Sequence, residues 1–304
     1  MENPGSAAER LHQALFGKDK EETTLYIVTN NNLEQRLLIA KSYGEKYGTP
    51  LYEDIKKQLK GDFRELAGYM FLTPMEFNAK MLKRAFKGLS TDEQLAFEIL
   101  AIHTPKEYQE IQEAFKVETK KELTKVLEKA FSGGLKKDVL NLLTVPRREN
   151  PNPDKAFCEK LADKLIDAGE KRWIDDENLF KEVFIECSAE EMVLVGRFYY
   201  KKTGVSLIEA VEKKVSGKGK ALLKEIIYGN IIPHELYAEK IRNSIKGIGT
   251  KTEVLNRCLA ARCRVDMMQI KEIYKWKYNI TLREDIKGDT SGMYEKLCIY
   301  IIDS

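Results

Sequence analysis

The sequence predicts an all-α protein assembled from repeated units, and three observations carry that prediction. Apolar residues recur three and four positions apart, as in Leu95, Ile99, Leu100 and Ile102 or Val254, Leu255, Cys258 and Leu259, the spacing that lines one side of a helix. Only eight prolines interrupt 304 residues that are rich in Leu, Lys, Glu and Ala, so helices of about 8–18 residues fit between the breaks. No long segment shows the period-two alternation of a half-buried strand. The length exceeds what a single core covers, so more than one core-bearing unit is expected.

Internal repetition sets the organisation. The first copy opens at Ala14-Leu15-Phe16-Gly17-Lys18-Asp19 and runs into Lys20-Glu21-Glu22. The second opens at Lys87-Gly88-Leu89-Ser90-Thr91-Asp92-Glu93. The third is Ala168-Gly169-Glu170-Lys171-Arg172-Trp173-Ile174-Asp175, and the fourth is Lys246-Gly247-Ile248-Gly249-Thr250-Lys251-Thr252-Glu253. In the second and fourth copies the pattern Ser90-x-x-Glu93 and Thr250-x-x-Glu253 predicts a capping box at the following helix. About forty residues after each loop comes a polar segment ending in glycine. These glycines, Gly61, Gly133, Gly217 and Gly292, lie 72, 84 and 75 residues apart. The longer middle spacing coincides with Pro146, Pro151 and Pro153 between Thr144 and Lys155, which reads as a linker. The expected division is a tail at 1–6, repeats at 7–76 and 77–145, a linker at 146–153, and repeats at 154–232 and 233–304. On this reading the chain is two sequence-adjacent pairs of repeats joined by the connector.

Four such repeats, a glycine loop Lys246-Gly247-x-Gly249-Thr250 and a carboxylate, Asp289, about forty residues later resemble the annexins. The segment Asp285-Ile286-Lys287-Gly288-Asp289-Thr290-Ser291-Gly292, the arginine Arg262 and the third-repeat run Ala168-Gly169-Glu170-Lys171-Arg172-Trp173 strengthen the resemblance, while the first repeat carries little of it. This uneven decay is similar to divergent protist annexins such as the α-giardins. The resemblance implies five helices per repeat in a slightly curved disc, with calcium-dependent binding of acidic phospholipid through loops on the convex side.

The chemistry of the loops can be argued alongside. Calcium takes six to eight oxygen ligands in flexible geometry, and a glycine-rich turn can aim successive carbonyls at one ion. In the fourth repeat the family pattern assigns the carbonyls of Ile245, Gly247 and Gly249, with Asp289 as the one full charge. Water and a lipid phosphate oxygen complete the shell, for an intrinsic affinity on the order of 10⁻⁴ M. Ile248, at the loop tip, is expected to enter the membrane interface. In the second repeat the same registry gives Phe86, Gly88 and Ser90, with Thr91 and Glu93 able to hold a minor ion and Leu89 at the tip, but the acid position is Ala130. In the first repeat the acid position is Gln58. In the third it is Lys214, which would repel calcium. Lys213, Lys214, Lys218 and Lys220 cluster there beside Trp173, and each lysine near an anionic surface contributes roughly 1 kcal/mol. The expectation is therefore lysine contact with lipid phosphate through this loop, with Trp173 as an interfacial anchor.

Other classes are excluded or set in second place. Lysine and arginine number 51 against 48 acids, a net charge of +3, which argues against a nucleic-acid partner. Residues 209–224 alone carry five lysines and two glutamates. No nucleophile elbow, phosphate-cradling loop or metal-ligating histidine pair is present, so no enzyme is expected. His234-Glu235 begins like a zinc-binding helix, but Ala238 stands where the second histidine belongs. Five cysteines without close pairing read as reduced thiols. No apolar run approaches a membrane span, and no signal-peptide pattern opens the sequence. The expected protein is cytoplasmic, monomeric in solution and peripheral at the inner face of the plasma membrane, with Ca2+ as its cofactor. The alternative is a cytoskeleton-associated adaptor that kept the fold and lost most of the calcium chemistry.

Overall fold

The computed structural model describes residues 3–247 and 249–304, and every regular element among them is helical. The first repeat contains α1 (Pro4–Phe16), α2 (Lys20–Thr29), α3 (Leu33–Tyr47), α4 (Leu51–Gln58) and α5 (Gly61–Tyr69). The second contains α6 (Pro74–Ala85), α7 (Glu93–Leu100), α8 (Pro105–Thr119), α9 (Leu123–Ala130) and α10 (Gly133–Thr144). The third contains α11 (Lys155–Ala168), α12 (Glu177–Phe180), α13 (Ala189–Thr203), α14 (Leu207–Lys214) and α15 (Lys218–Ile231). Here a 3₁₀ turn at Glu170–Arg172 and a π turn at Lys181–Ile185 flank α12. The fourth contains α16 (Pro233–Ile245), α17 (Thr252–Arg262), α18 (Met267–Tyr278), α19 (Leu282–Asp289) and α20 (Gly292–Asp303). Five helices per repeat is the number the resemblance implied.

Local sequence explains most of the boundaries. Helix α1 begins earlier than the expected tail allows, because the Asn3 side chain accepts from the Gly5 amide at 2.8 Å and Pro4 takes the first helical position, where its missing N–H costs nothing. The third helices of repeats one to three open in reciprocal capping boxes, Asn32/Gln35, Thr104/Glu107 and Ser188/Glu191. In the fourth repeat Asp266 stands at that place instead. Its carboxylate is taken by the Arg262 guanidinium (Nε, 2.8 Å) and by His234 (3.1 Å). Arg262, the arginine that matched the family pattern, thus ties α17 to the start of α18. The capping boxes predicted at Ser90 and Thr250 do not form. Helix α7 is capped by Asp92, whose side chain accepts from the Leu95 amide at 3.1 Å. Helix α17 starts after Lys251 with no side-chain cap, because the Thr250 hydroxyl is engaged elsewhere, as described below.

Of the predicted apolar stripes, Leu95, Ile99, Leu100, Leu255, Cys258 and Leu259 are buried, while Ile102 and Val254 are half-buried. In the first repeat, Leu11 and Leu15 of α1, Ile27 of α2, Ile39 and Tyr43 of α3 and Ile55 of α4 are all 0–1% exposed, each aliphatic side chain contributing about 1.5–3 kcal/mol of transfer free energy. Several buried polar groups are bonded. Arg36 donates to the carbonyls of Val28 (2.9 Å), Asn31 (2.6 Å) and Met70 (3.0 Å), joining the ends of α2 and α5. Tyr43 donates to Asp54 at 2.8 Å.

The pairing of repeats differs from the expectation. One compact unit comprises the residues through Phe77 together with His234–Ser304, and the other is Asn78–Pro233. The first repeat therefore belongs with the fourth, and the second with the third. The proline-rich segment does not divide two units; it runs within the second, where Arg148 pairs with Glu191 at 2.8 Å and Glu186 at 3.4 Å. A linker read from composition is locally polar, but nothing in its residues reveals which helices fold back onto each other.

Candidate calcium and membrane-contact loops

In the fourth repeat, α16 ends at Ile245, which is buried, and the chain turns through Gly247 (φ +131°) and Gly249 (φ +80°). Both values lie where a Cβ is strained, so glycine is required. The turn is closed by the Lys251 amide, which donates to the Ser244 carbonyl at 2.7 Å. Asp289 is the last residue of α19 and faces this turn. The Thr250 hydroxyl donates to Asp289 Oδ2 and lies 3.2 Å from the Asp289 carbonyl. Asp289 Oδ1 accepts no protein hydrogen bond among the described residues and is free for a ligand. Ile248 lies outside the described residues. A cavity of about 410 Å³ adjoins the carboxylate, lined by Thr250, Thr252, Asp289 and Ser291 and, from the first repeat, Lys60 and Asp62. Hard backbone and carboxylate oxygens, with no histidine or cysteine in the lining, suit Ca2+ rather than a transition metal. Consistent with this, no group of three or more His, Cys, Asp or Glu side chains gathers among the described residues.

The second repeat has the same loop closure but a different floor. The Asp92 amide donates to the Ala85 carbonyl at 2.8 Å, and Gly88 has φ +106°. Phe86 sits edge-on to Phe131, 6.3 Å between centroids, Ser90 is exposed, and Leu89 projects fully into solvent. Glu93, a candidate ligand, instead pairs with Lys218 at 2.7 Å. A cavity of about 520 Å³ lies behind the loop, lined by Phe86, Gly88, Thr91 and Ala130 and by Lys121, Lys125 and Lys129. Inspection of the acid position alone missed these lysines. Their recurrence at every fourth position was the available signal, with Lys125 and Lys129 one turn apart on α9 and Lys121 just before its start.

The first and third loops are bridged by lysine. In the first, Asp19 adopts a left-handed conformation (φ 58°) and Lys20 donates to Gln58 Oε1 at 3.3 Å. In the third, Lys214 donates to Glu170 Oε1 at 2.6 Å, and Tyr199 donates to the same oxygen at 2.8 Å. Burial pushes the Glu170 carboxyl up, but the Lys214 ammonium and the hydrogen bonds outweigh it and hold the group below the ordinary carboxylate range. Ile174 packs over Gly219, where a Cβ would stand 2.6 Å from the isoleucine Cγ2.

Two expectations for this third loop are corrected. Trp173 is not an exposed anchor: it is 0% exposed, its Nε1 donates to the Leu165 carbonyl at 2.9 Å, and its ring packs against Tyr199 and Phe184. The lysine cluster is not a free positive patch either. Lys213 pairs with Glu209 (2.5 Å), Lys214 with Glu170, Lys218 with Glu93, and Lys220 with the Glu212 carbonyl (2.6 Å) and carboxylate (3.8 Å). The charge excess counted along residues 209–224 is met largely by acids within and beyond that stretch.

The annexin family model matches residues 6–67, 77–142, 160–226 and 237–301. The chain is 33% identical to annexin A1 of Equus caballus over 98% of its length and 86% of that protein's. It is 34% identical to annexin A3 of Bos taurus over 97% and 93%. Among solved structures, annexin III superposes with a TM-score of 0.90 at 31% identity, covering 100% of this chain and 94% of that one. A calcium-bound annexin (Sm)1 superposes at 0.83 with 25% identity, covering 99% and 90%. Calcium-bound α-14 giardin superposes at 0.80, with 20% identity over 99% of both chains, a likeness of fold alone. Identity is thus higher to the mammalian proteins than to that giardin, and unevenness among repeats does not by itself mark a giardin.

The chain belongs to the annexin family. Annexins bind phospholipid membranes in a calcium-dependent manner, use Ca2+ as their cofactor and are generally not enzymes; they associate with membranes peripherally. Among the described residues no helix is long and apolar enough to cross a membrane.

Proposed function

We propose that this protein binds acidic phospholipid membranes through one calcium ion held by the fourth repeat, with the carbonyls of Ile245, Gly247 and Gly249 and the carboxylate of Asp289 as its protein ligands. The observation that carries this reading is the Asp289 carboxylate facing the positive-φ glycine turn, fixed through one oxygen by Thr250 and open at the other. When bound, calcium supplies a positive charge that a lipid phosphate oxygen can share. The protein groups position the ion and leave part of its shell open toward the lipid. The first and third loops, each bridged by a lysine, and the second, lacking its acid, favour a single principal site over four.

Sedimentation with phosphatidylserine vesicles tests the reading. Wild-type protein is expected to pellet in calcium far more than in EGTA, and Asp289→Ala to lose that difference. Calcium-stimulated binding that survives Asp289→Ala would overturn the assignment. The cytoskeletal alternative is tested in parallel by co-sedimentation with actin or microtubules; capture by either, with no calcium effect on vesicles, would favour it.

A further inference from the structure

We propose that the loop cavity of the second repeat binds the phosphate of a phospholipid headgroup directly, without calcium, through Lys121, Lys125 and Lys129. Lys125 and Lys129 lie one turn apart on α9 and Lys121 lies just before its start, and all three line the same cavity of about 520 Å³ as the Gly88 turn. None of them makes an ion pair among the described residues, in contrast to Lys213, Lys214, Lys218 and Lys220 of the third repeat, all of which do. The one acid in the lining, Glu122, is already held by Lys116 at 2.6 Å. Glu128 lies on the same helix but does not line the cavity.

Ala130 occupies the place of a calcium-ligating carboxylate, so no acid there competes for the ammonium groups and none draws in a cation. Three ammonium donors around a cavity suit a phosphate, whose oxygens accept several charge-assisted hydrogen bonds at once. Leu89, fully exposed on the same loop, favours a lipid over a soluble phosphate, because an isolated apolar tip gains from entering a membrane interface and gains nothing from a small anion. The proposal rests on the membrane-binding reading of the protein but not on its calcium site.

The test is binding to phosphatidylserine–phosphatidylcholine vesicles in EGTA. Wild-type protein is expected to retain salt-sensitive binding. Each single Lys→Gln change at 121, 125 or 129 should weaken it about five-fold, and the triple change roughly a hundred-fold, following about 1 kcal/mol per lysine at an anionic surface. Replacing Lys213, Lys214, Lys218 and Lys220 together by glutamine should cost less than the triple change. Absence of EGTA binding by the wild type, a triple variant that binds like wild type, or a larger loss from the third-repeat set would each overturn the proposal. A parallel arm uses inorganic phosphate. If it raises the melting temperature of the wild type but not of the triple variant, while vesicles capture neither protein, the site is one for soluble phosphate and the lipid assignment fails. The calcium-stimulated increment, compared between wild type and Asp289→Ala, reports on the fourth repeat separately.

Discussion

The second and fourth repeats close the same turn with the same backbone bond, yet they present opposite charge to whatever enters. In the fourth, the amide of Lys251 reaches back seven residues to Ser244; in the second, Asp92 reaches back seven to Ala85. Glycine at positive φ shapes both. Behind the fourth loop stands Asp289, with one oxygen open. Behind the second stand Ala130 and three lysines that make no ion pair among the described residues. On the two proposed readings a shared backbone frame does not fix the ligand: one side chain at the end of the fourth helix of the repeat, and the lysines beside it, would decide whether the loop draws a cation or an anion. The first and third repeats add the remaining solution, in which a lysine of the chain itself spans the loop.

The largest test of this contrast is Asp289→Ala. On the proposed reading it removes the carboxylate that holds the ion and should weaken calcium binding at least ten-fold, measured by calorimetry in the absence of lipid. A smaller effect would mean that the carbonyls alone suffice, and the contrast with Ala130 would lose its force.

A second test concerns Asp138 on α10. Burial, with the nearby Glu177 charge as a lesser cause, pushes its carboxyl up to about 7. Because the folded state then holds a proton that the unfolded chain releases near the ordinary value of 3.8, its contribution to stability falls as pH rises between those values. Asp138→Asn should raise the melting temperature by several degrees at about pH 8 and change it little at about pH 4.

Lys214→Gln probes the bridged third loop. The ammonium is half exposed, so its loss should cost only about 0.5–1 kcal/mol. Glu170 is depressed in the folded state. Its stabilising contribution is present above the ordinary glutamate range and fades as pH falls through the lower folded value, so wild type and variant should converge on acidification. Denaturant titrations at neutral and acid pH measure the difference, and a gap that persists in acid would remove the Lys214–Glu170 ion pair as the cause.

Thr250→Val should have the smallest effect, a loss of calcium affinity of roughly two- to ten-fold, the worth of one hydrogen bond that orients Asp289. No change would show that the carboxylate is held in place without its threonine.

Much of this architecture was legible in the sequence, for identifiable reasons. Periodicity at three and four residues follows from helix geometry, and the glycine loops recur because positive φ favours glycine; together they locate the four repeats and bring Asp289 to the fourth turn. What failed depended on distant partners. Lys214 and Lys218 read as free charges because Glu170 and Glu93 lie 44 and 125 residues away in sequence. Trp173 read as an anchor because its composition suits an interface, whereas its position is fixed by the Leu165 carbonyl and two aromatic neighbours. The capping boxes at Ser90 and Thr250 were plausible local patterns that a nearer cap, Asp92, and a long-range acceptor, Asp289, displaced.

The grouping of the first repeat with the fourth has a consequence for how the chain is made. The second unit is inserted within the first like a phrase in parentheses. During synthesis all of Asn78–Pro233 emerges before the C-terminal residues that the opening repeat needs. The middle unit can therefore complete itself while the opening helices wait, tethered to it and lacking their apolar cover. Closing that gap costs little entropy, since the penalty grows only logarithmically with the intervening length. The hazard is the waiting time, during which the unpartnered face of the first repeat is the surface a chaperone would need to shield.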